Sequence, residues 1–386
     1  STQSAIIVPN PSNSTKYFIF TVGNNINGIG GSGLNCYVID MTLDGGLGDV
    51  SGGPINLSDG RDEQWTEKVT SVKTADCDSY WVISLVADTY YAYKVDANGL
   101  DTTNPVISKV DYFSKDVRGY LKLSPDGKKF ASATYNNTSR NQSGEGKLHL
   151  YSFNAATGEV SNDAEVLISN TARSGEPYGV EFSPNSSKLY VSTFDVIGNY
   201  KLFQFDLLNT NIANSQIQIH SEIGFRGALQ LAPNGKIYAT IPENYETGTK
   251  YLDVINNPDL EGLACDFKTD AIDLINGRAM QGLPPFIASF LTDVGIANQE
   301  TGENIANQTV TLCNGESYTF SAINVATTGT FSCEHNNVEI GNSSNLTLTN
   351  IQPNDTGTYK LIANVIDNCG IPISYEAEFQ VDISFM

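Results

Sequence analysis

The chain has 386 residues, with 22 Lys plus Arg against 43 Asp plus Glu and a formal charge of -21. That charge repels polyanions and excludes nucleic acid as a partner, while 40% hydrophobic and 17% charged residues exclude a disordered chain. No apolar run reaches the roughly 18 to 20 residues of a membrane-spanning helix, so the chain is not read as an integral membrane protein.

The start, Ser1-Thr2-Gln3-Ser4-Ala5, carries no charged-then-apolar leader and reads as mature or trimmed. Abundant Tyr, Phe and Gly with only 3 Met favour pleated strands and Gly-containing turns over helix bundles. Six Cys occur without a Cys-x-x-Cys pair, which argues against a zinc or thioredoxin-like centre and leaves a secreted location open.

A repeat dominates the first 290 or so residues. Gly119-Tyr120-Leu121-Lys122-Leu123-Ser124-Pro125-Asp126-Gly127 is echoed by Tyr178-Gly179-Val180-Glu181-Phe182-Ser183-Pro184-Asn185 and by Gly227-Ala228-Leu229-Gln230-Leu231-Ala232-Pro233-Asn234-Gly235. Each copy alternates apolar and polar residues, turns at Pro-Asp or Pro-Asn, and resumes as a strand, so each is a hairpin. Weaker copies begin at Ala5 and Val69, and a third strand follows each hairpin, starting at Leu34, Tyr90, Lys147, Lys201 and Tyr251. A unit of four antiparallel strands every 50 to 60 residues predicts a β-propeller with five readable blades, at about 5–59, 68–110, 119–168, 178–222 and 227–276. The run 281–290 opens a sixth, incomplete unit, whose outer strands are expected N-terminal to Ser1, making this part of a longer chain.

Ser4-Ala5-Ile6-Ile7-Val8-Pro9-Asn10-Pro11, Asp40-Met41-Thr42-Leu43-Asp44-Gly45-Gly46-Leu47-Gly48, the Gly227 to Tyr238 run, Val254-Ile255-Asn256-Asn257-Pro258 and Gly282-Leu283-Pro284-Pro285-Phe286 resemble the WD40-like propellers of Bacteroidetes surface proteins. The resemblance covers nearly all of 1–291. It implies export by a type IX secretion system and an association with gliding motility or adhesion, with no catalytic residues to carry across.

From about Thr301 the strands shorten, and 301–386 reads as a small sandwich, with the propeller taken as 1–296. Asp355-Thr356-Gly357-Thr358-Tyr359 resembles the tyrosine corner of immunoglobulin-like domains. Leu361 stands where the usual second Cys would, and Cys313 with Cys369 is the expected replacement bridge, worth about 3 to 4 kcal/mol in the chain-entropy model. Cys36, Cys77, Cys265 and Cys333 are buried free thiols or bridged.

Little points to catalysis. His149, His220 and His335 lie in separate segments without metal spacing. The Gly28-Ile29-Gly30-Gly31-Ser32-Gly33 loop lies between strands with no helix to form a phosphate cradle. Acidic neighbours such as Asp62-Glu63 or Glu243 and Glu246 are expected by chance in so acidic a chain. No cofactor is expected, although structural calcium is allowed.

Arginine is distinctive. Arg61, Arg118, Arg173, Arg226 and Arg278 fall in connections between successive units, and Arg140 falls in a loop that emerges on the same face. Gathered near a central funnel, their guanidinium groups would suit carboxylate, sulfate or phosphate groups. The competing use is to pair with Asp62, Asp116 or Glu176 and tie neighbouring units. Trp65, Tyr112, Phe113, Tyr178 and Phe225 could stack on sugars or a partner, or pack between units.

The sequence therefore reads as a non-catalytic cell-surface, outer membrane-associated or secreted binding protein. Its expected ligand at the propeller face is a protein partner of the cell envelope or an acidic glycan. The alternative is a propeller enzyme acting on polysaccharide, a glycoside hydrolase or lyase.

Overall fold

The chain is known as a computed structural model that describes residues 3, 5–23, 32–62, 65–112, 114, 116–135, 146–169, 174–195, 197–290, 295–299, 305–306, 308–323, 329–366 and 372–384. It divides into two compact units, Ser1–Leu291 and Thr292–Met386. The boundary precedes the strand Gly295–Asn298, earlier than the expected limit at 296, because that strand pairs with Tyr318–Ile323 of the second unit.

Among the described residues, the first unit contains five antiparallel sheets in chain order, over 5–56, 65–109, 121–168, 176–223 and 229–273. Within each, the first three strands are neighbours in chain order, as short tight turns require. In the second and third sheets the outer position is shared by two short strands, Gly99–Leu100 with Val106–Lys109 and Glu159–Val160 with Glu165–Ile168.

The hairpin turns follow their sequence chemistry. Asp126 accepts hydrogen bonds from the Ser124 hydroxyl at 2.5 Å and the Lys128 N–H at 3.1 Å, and Gly127 supplies a left-handed φ of 69°. Asn185 plays the same part, accepting from Ser183 and from the Ser187 N–H.

Four apolar clusters lie between successive sheets. Ile6, Val8 and Phe20 meet Trp65 and Val82; Trp81 and Ile83 meet Leu121 and Phe130; Leu148 and Leu150 meet Val180 and Phe205; Tyr200 and Leu202 meet Leu229 and Ile237. Each large side chain buried this way contributes about 1.5 to 3 kcal/mol.

The first strands of the sheets face a common interior. Lys122, Glu181 and Gln230 hold the same place in three copies of the repeat, and Lys122 Nζ donates to Glu181 Oε2 and to Gln230 Oε1, each at 2.7 Å. Equivalent residues of three sheets meet at one point only if those sheets are arranged about one axis. The first unit is propeller-like, all-β and antiparallel.

The second unit stacks a three-stranded sheet, Gly295–Asn298, Tyr318–Ile323 and Asn345–Leu348, on a five-stranded one. Ile296 and Phe320 of the first sheet share a core with Leu312, Tyr359, Leu361 and Phe379 of the second. The Tyr359 hydroxyl donates to the Asp355 carbonyl at 2.9 Å, closing the corner read from the sequence.

The expected Cys313–Cys369 bridge is corrected, since Cys313 is a free thiol. It pairs with Ser384 at one end of the strand Pro372–Ser384, while the connection containing Cys369, outside the described residues, lies at the other. A strand of that length spans about 40 Å at roughly 3.3 Å per residue, far beyond disulfide reach. Cys36, Cys265 and Cys333 are buried free thiols, and Cys77 is disulfide-bonded.

Candidate binding site

Two of the expected arginines converge. Arg118 and Arg226 stand directly before Gly119 and Gly227, where the first strands of the third and fifth sheets begin. A Cβ on Gly119 would lie 2.1 Å from the Ala133 carbonyl oxygen, and one on Gly227 1.7 Å from that of Thr240. Glycine thus permits the close backbone approach that turns each preceding arginine inward.

Both guanidinium carbons lie over the Tyr135 ring, Arg118 at 4.7 Å and Arg226 at 4.4 Å from its centroid. Arg118 is ion-paired with Asp116, with Nε to Oδ1 at 2.7 Å and a second bond from Nη2. Arg226 also covers Tyr178 at 5.0 Å and Phe225 at 4.8 Å, and its Nε donates to Gln281 Oε1 at 2.9 Å.

The two arginines are buried, 6% and 5% exposed, and present no open cationic face; Arg226, reaching Tyr135 beside the third sheet and Tyr178 of the fourth, ties sheets together. The other two described arginines do not join them. Arg61 stacks on Tyr91 at 4.8 Å and donates to its hydroxyl, and exposed Arg278 donates from Nη1 to the Gly248 carbonyl at 3.0 Å. Arg140 and Arg173 lie outside the described residues, as do Phe113, Glu63 and Gly28 to Gly31.

The aromatic candidates pack between elements. Trp65 is buried with its Nε1 donating to Ser84 Oγ at 2.6 Å; Tyr178 packs on Tyr120 and Tyr135; Tyr112 lies 4.4 Å from the His149 ring; Phe225 meets Phe194 edge-on.

Beside the arginines the sequence reading missed two adjacent charges, Glu67 and Lys68, buried at the start of the second sheet. Burial raises the Glu67 carboxyl well above the usual carboxylate range, against the pull of Arg226 and Arg118. Burial lowers Lys68 to about 7, and its Nζ donates to Thr134 Oγ1 at 2.9 Å. Two adjacent charged residues directly after Trp65-Thr66, at the head of the strand Trp65–Lys73, were the available signal.

His149, also buried, is depressed to about 4 by burial and by Lys147 and Lys68, and its Nδ1 has no hydrogen-bond partner. Among the described residues no group of three or more His, Cys, Asp or Glu could hold a metal ion.

Among the described residues, an accessible cleft of about 800 Å³ lies between the first sheet and 280–290. One wall is the face of the first sheet turned away from the second, with Ala5, Ile7, Pro9 and Tyr17; the other includes Leu283, Pro284, Pro285, Phe286 and Phe290. Alternation explains the first wall: Ile6 and Val8 fill the core, so Ile7 and Pro9 face outward. Ile7 is 57% exposed, Phe286 51% and Phe290 47%.

No family model matches the chain, and no curated protein does. Among solved structures, it is similar to TolB from Acinetobacter baumannii, with 15% identity over 65% of this chain and 51% of TolB, TM-score 0.37. The chain thus spans about half the length of TolB. It is similar to the periplasmic gluconolactonase of Pseudomonas aeruginosa, with 14% identity over 95% of this chain and 98% of that one, TM-score 0.43. An endo-arabinase from Bacteroides thetaiotaomicron aligns at 12% identity over 63% of this chain and 90% of its own, TM-score 0.36. Likeness at this level carries no argument about chemistry.

Proposed function

We propose that the protein is a non-catalytic binding protein of the cell surface or of a secreted fraction, built from a five-bladed, incompletely closed propeller and an immunoglobulin-like domain, and that it binds a protein partner. The observation that carries the reading is the open apolar cleft beside Ile7, Tyr17 and Phe286. Contiguous exposed apolar walls of this kind mark interaction sites, because water contact with them is costly.

The Tyr359 to Asp355 bond supports the immunoglobulin-like assignment. Type IX export with a role in gliding or adhesion rests on the motif resemblance alone. An acidic glycan is the weaker ligand class, since the described arginines that would hold it are buried or already bonded and the net charge opposes it.

The test is a photo-crosslinking residue at Phe286 or, as control, at exposed Leu208, in the turn after the strand Asn199–Asp206, in envelope fractions of the source organism. A protein crosslinked from Phe286 only, and lost on Ile7→Asp, is expected. No crosslink, or the same crosslinks from both positions, would remove the reading.

A second reading, a polysaccharide-degrading enzyme, is favoured by the interior Glu67 and Lys68, whose proton affinities are both strongly perturbed. It requires reducing sugar or unsaturated product to be released from polysaccharide and the release to be lost in Glu67→Gln.

A further inference from the structure

We infer that the cleft is the seat of a β-strand from a separate polypeptide, added beside 282–286 with its apolar face against Ile7, Pro9 and Tyr17. This rests on the binding reading above and names the kind of partner it requires.

Two independent observations lead to it. The first concerns the backbone. Gly282 to Phe286 stand where a sixth unit would begin, yet among the described residues these five make no backbone hydrogen bond. The first strands of the other sheets are all paired, for example Leu121–Leu123 with Lys129–Thr134 and Leu229–Leu231 with Ile237–Ala239. Pro284 and Pro285 lack N–H groups, so the segment offers more acceptors than donors. What complements unbonded backbone carbonyls along an irregular segment is a set of amide N–H groups at the backbone repeat, the chemistry of another polypeptide strand.

The second concerns the side chains. Each of the four gaps between successive sheets is filled by apolar residues from both sides, and the cleft continues that series onto the remaining face of the first sheet. There Ile7, Pro9 and Tyr17 supply one half of an interface of the same kind. The missing half is a strand with apolar residues at every second position, since side chains two apart share a face.

The experiment uses residues 1–386 and two labelled peptides of equal composition, each with terminal lysines. One alternates valine and threonine, and the other carries the two in separate blocks. Binding is read by fluorescence anisotropy, and amide exchange over 282–287 by mass spectrometry. The alternating peptide should bind at least about tenfold more tightly than the block peptide and slow that exchange. Ile7→Asp and Phe286→Asp should each weaken binding about tenfold or more.

Ile7 lies within a strand, so Phe286→Asp, on the segment without backbone bonds, is the variant that decides if Ile7→Asp fails to fold. Equal binding of the two peptides, unchanged exchange, or full binding by Phe286→Asp with an unchanged thermal transition would overturn the inference. Self-association relieved by Phe286→Asp would overturn it in favour of a second copy. Protection of 282–287 by natural residues preceding Ser1 would overturn it in favour of an intramolecular strand. A crosslinked protein partner without binding of the alternating peptide would sink strand addition while leaving the binding reading standing.

Discussion

Lys122 and Glu181, on the first strands of adjacent sheets, form a buried ion pair at 2.7 Å, with side chains only 3% and 1% exposed. Gln230 of the fifth sheet accepts the second Lys122 bond, and Glu181 also accepts the Leu231 and Phe182 N–H groups. Three sheets are thereby registered about the axis by polar groups that have no access to water.

Breaking one side of that pair should be costly. Lys122→Met leaves the Glu181 carboxylate uncompensated, and we expect about 3 to 5 kcal/mol lost in chemical denaturation. The double variant Lys122→Met/Glu181→Leu should recover much of it. A double variant no more stable than Lys122→Met would show that the pair is not coupled.

Arg226 should act on stability. Arg226→Ala removes a buried cation from Tyr135, Tyr178 and Phe225 and strands Gln281, for an expected loss of roughly 2 to 4 kcal/mol. Differential scanning calorimetry should show a lower transition temperature, while Arg278→Ala, at an exposed site, should leave it nearly unchanged. A glycan array on which Arg226→Ala loses binding without losing stability would restore the cationic-face reading.

His149 should make the fold acid-sensitive. Its proton affinity is depressed in the folded state, to about 4 against an ordinary value of 6.5, so the unfolded chain binds the proton more readily. Its contribution is present above 6.5 and is lost as pH falls from 6.5 towards 4, a change of up to about 3 kcal/mol. His149→Phe keeps a ring against Tyr112 and Tyr151 and should flatten the pH dependence of unfolding in that window. An unaltered slope would assign the acid sensitivity elsewhere.

Lys68 gives an experiment of the same sign at higher pH. Its folded value of about 7 lies below the ordinary 10.5, so stability should rise with pH between these limits as the unfolded state alone keeps the proton. Lys68→Met should therefore stabilise the protein at pH 7, and the advantage over wild type should shrink towards pH 10. An advantage independent of pH would mean that Lys68 stays charged when folded.

Tyr359→Phe removes the hydroxyl that bonds the Asp355 carbonyl while retaining the ring against Phe379 and His335. We expect a loss of about 1 kcal/mol, read as faster amide exchange over 355–361 with the first unit unaffected. Equal exchange in the two proteins would make the corner bond dispensable.

Local pattern was enough to read the strands. The Pro-Asp and Pro-Asn turns, the period-two alternation and the recurring Gly beside Tyr120 and Ala228 are short-range features, and they located the hairpins because turn chemistry and strand period act over a few residues. What needed tertiary structure was the fate of each charge. Arg118 and Arg226 look alike in sequence to Arg61 and Arg278, but only the first pair precedes a glycine close against a neighbouring strand, which turns them inward onto Tyr135. Cys313 and Cys369 looked pairable along the chain, yet the long strand Pro372–Ser384 holds Cys313 at its far end. The cleft was legible only as an incomplete repeat; its apolar walls and unbonded carbonyls follow from which face of the first sheet remains without a neighbour, a property of the assembled sheets and of no single segment.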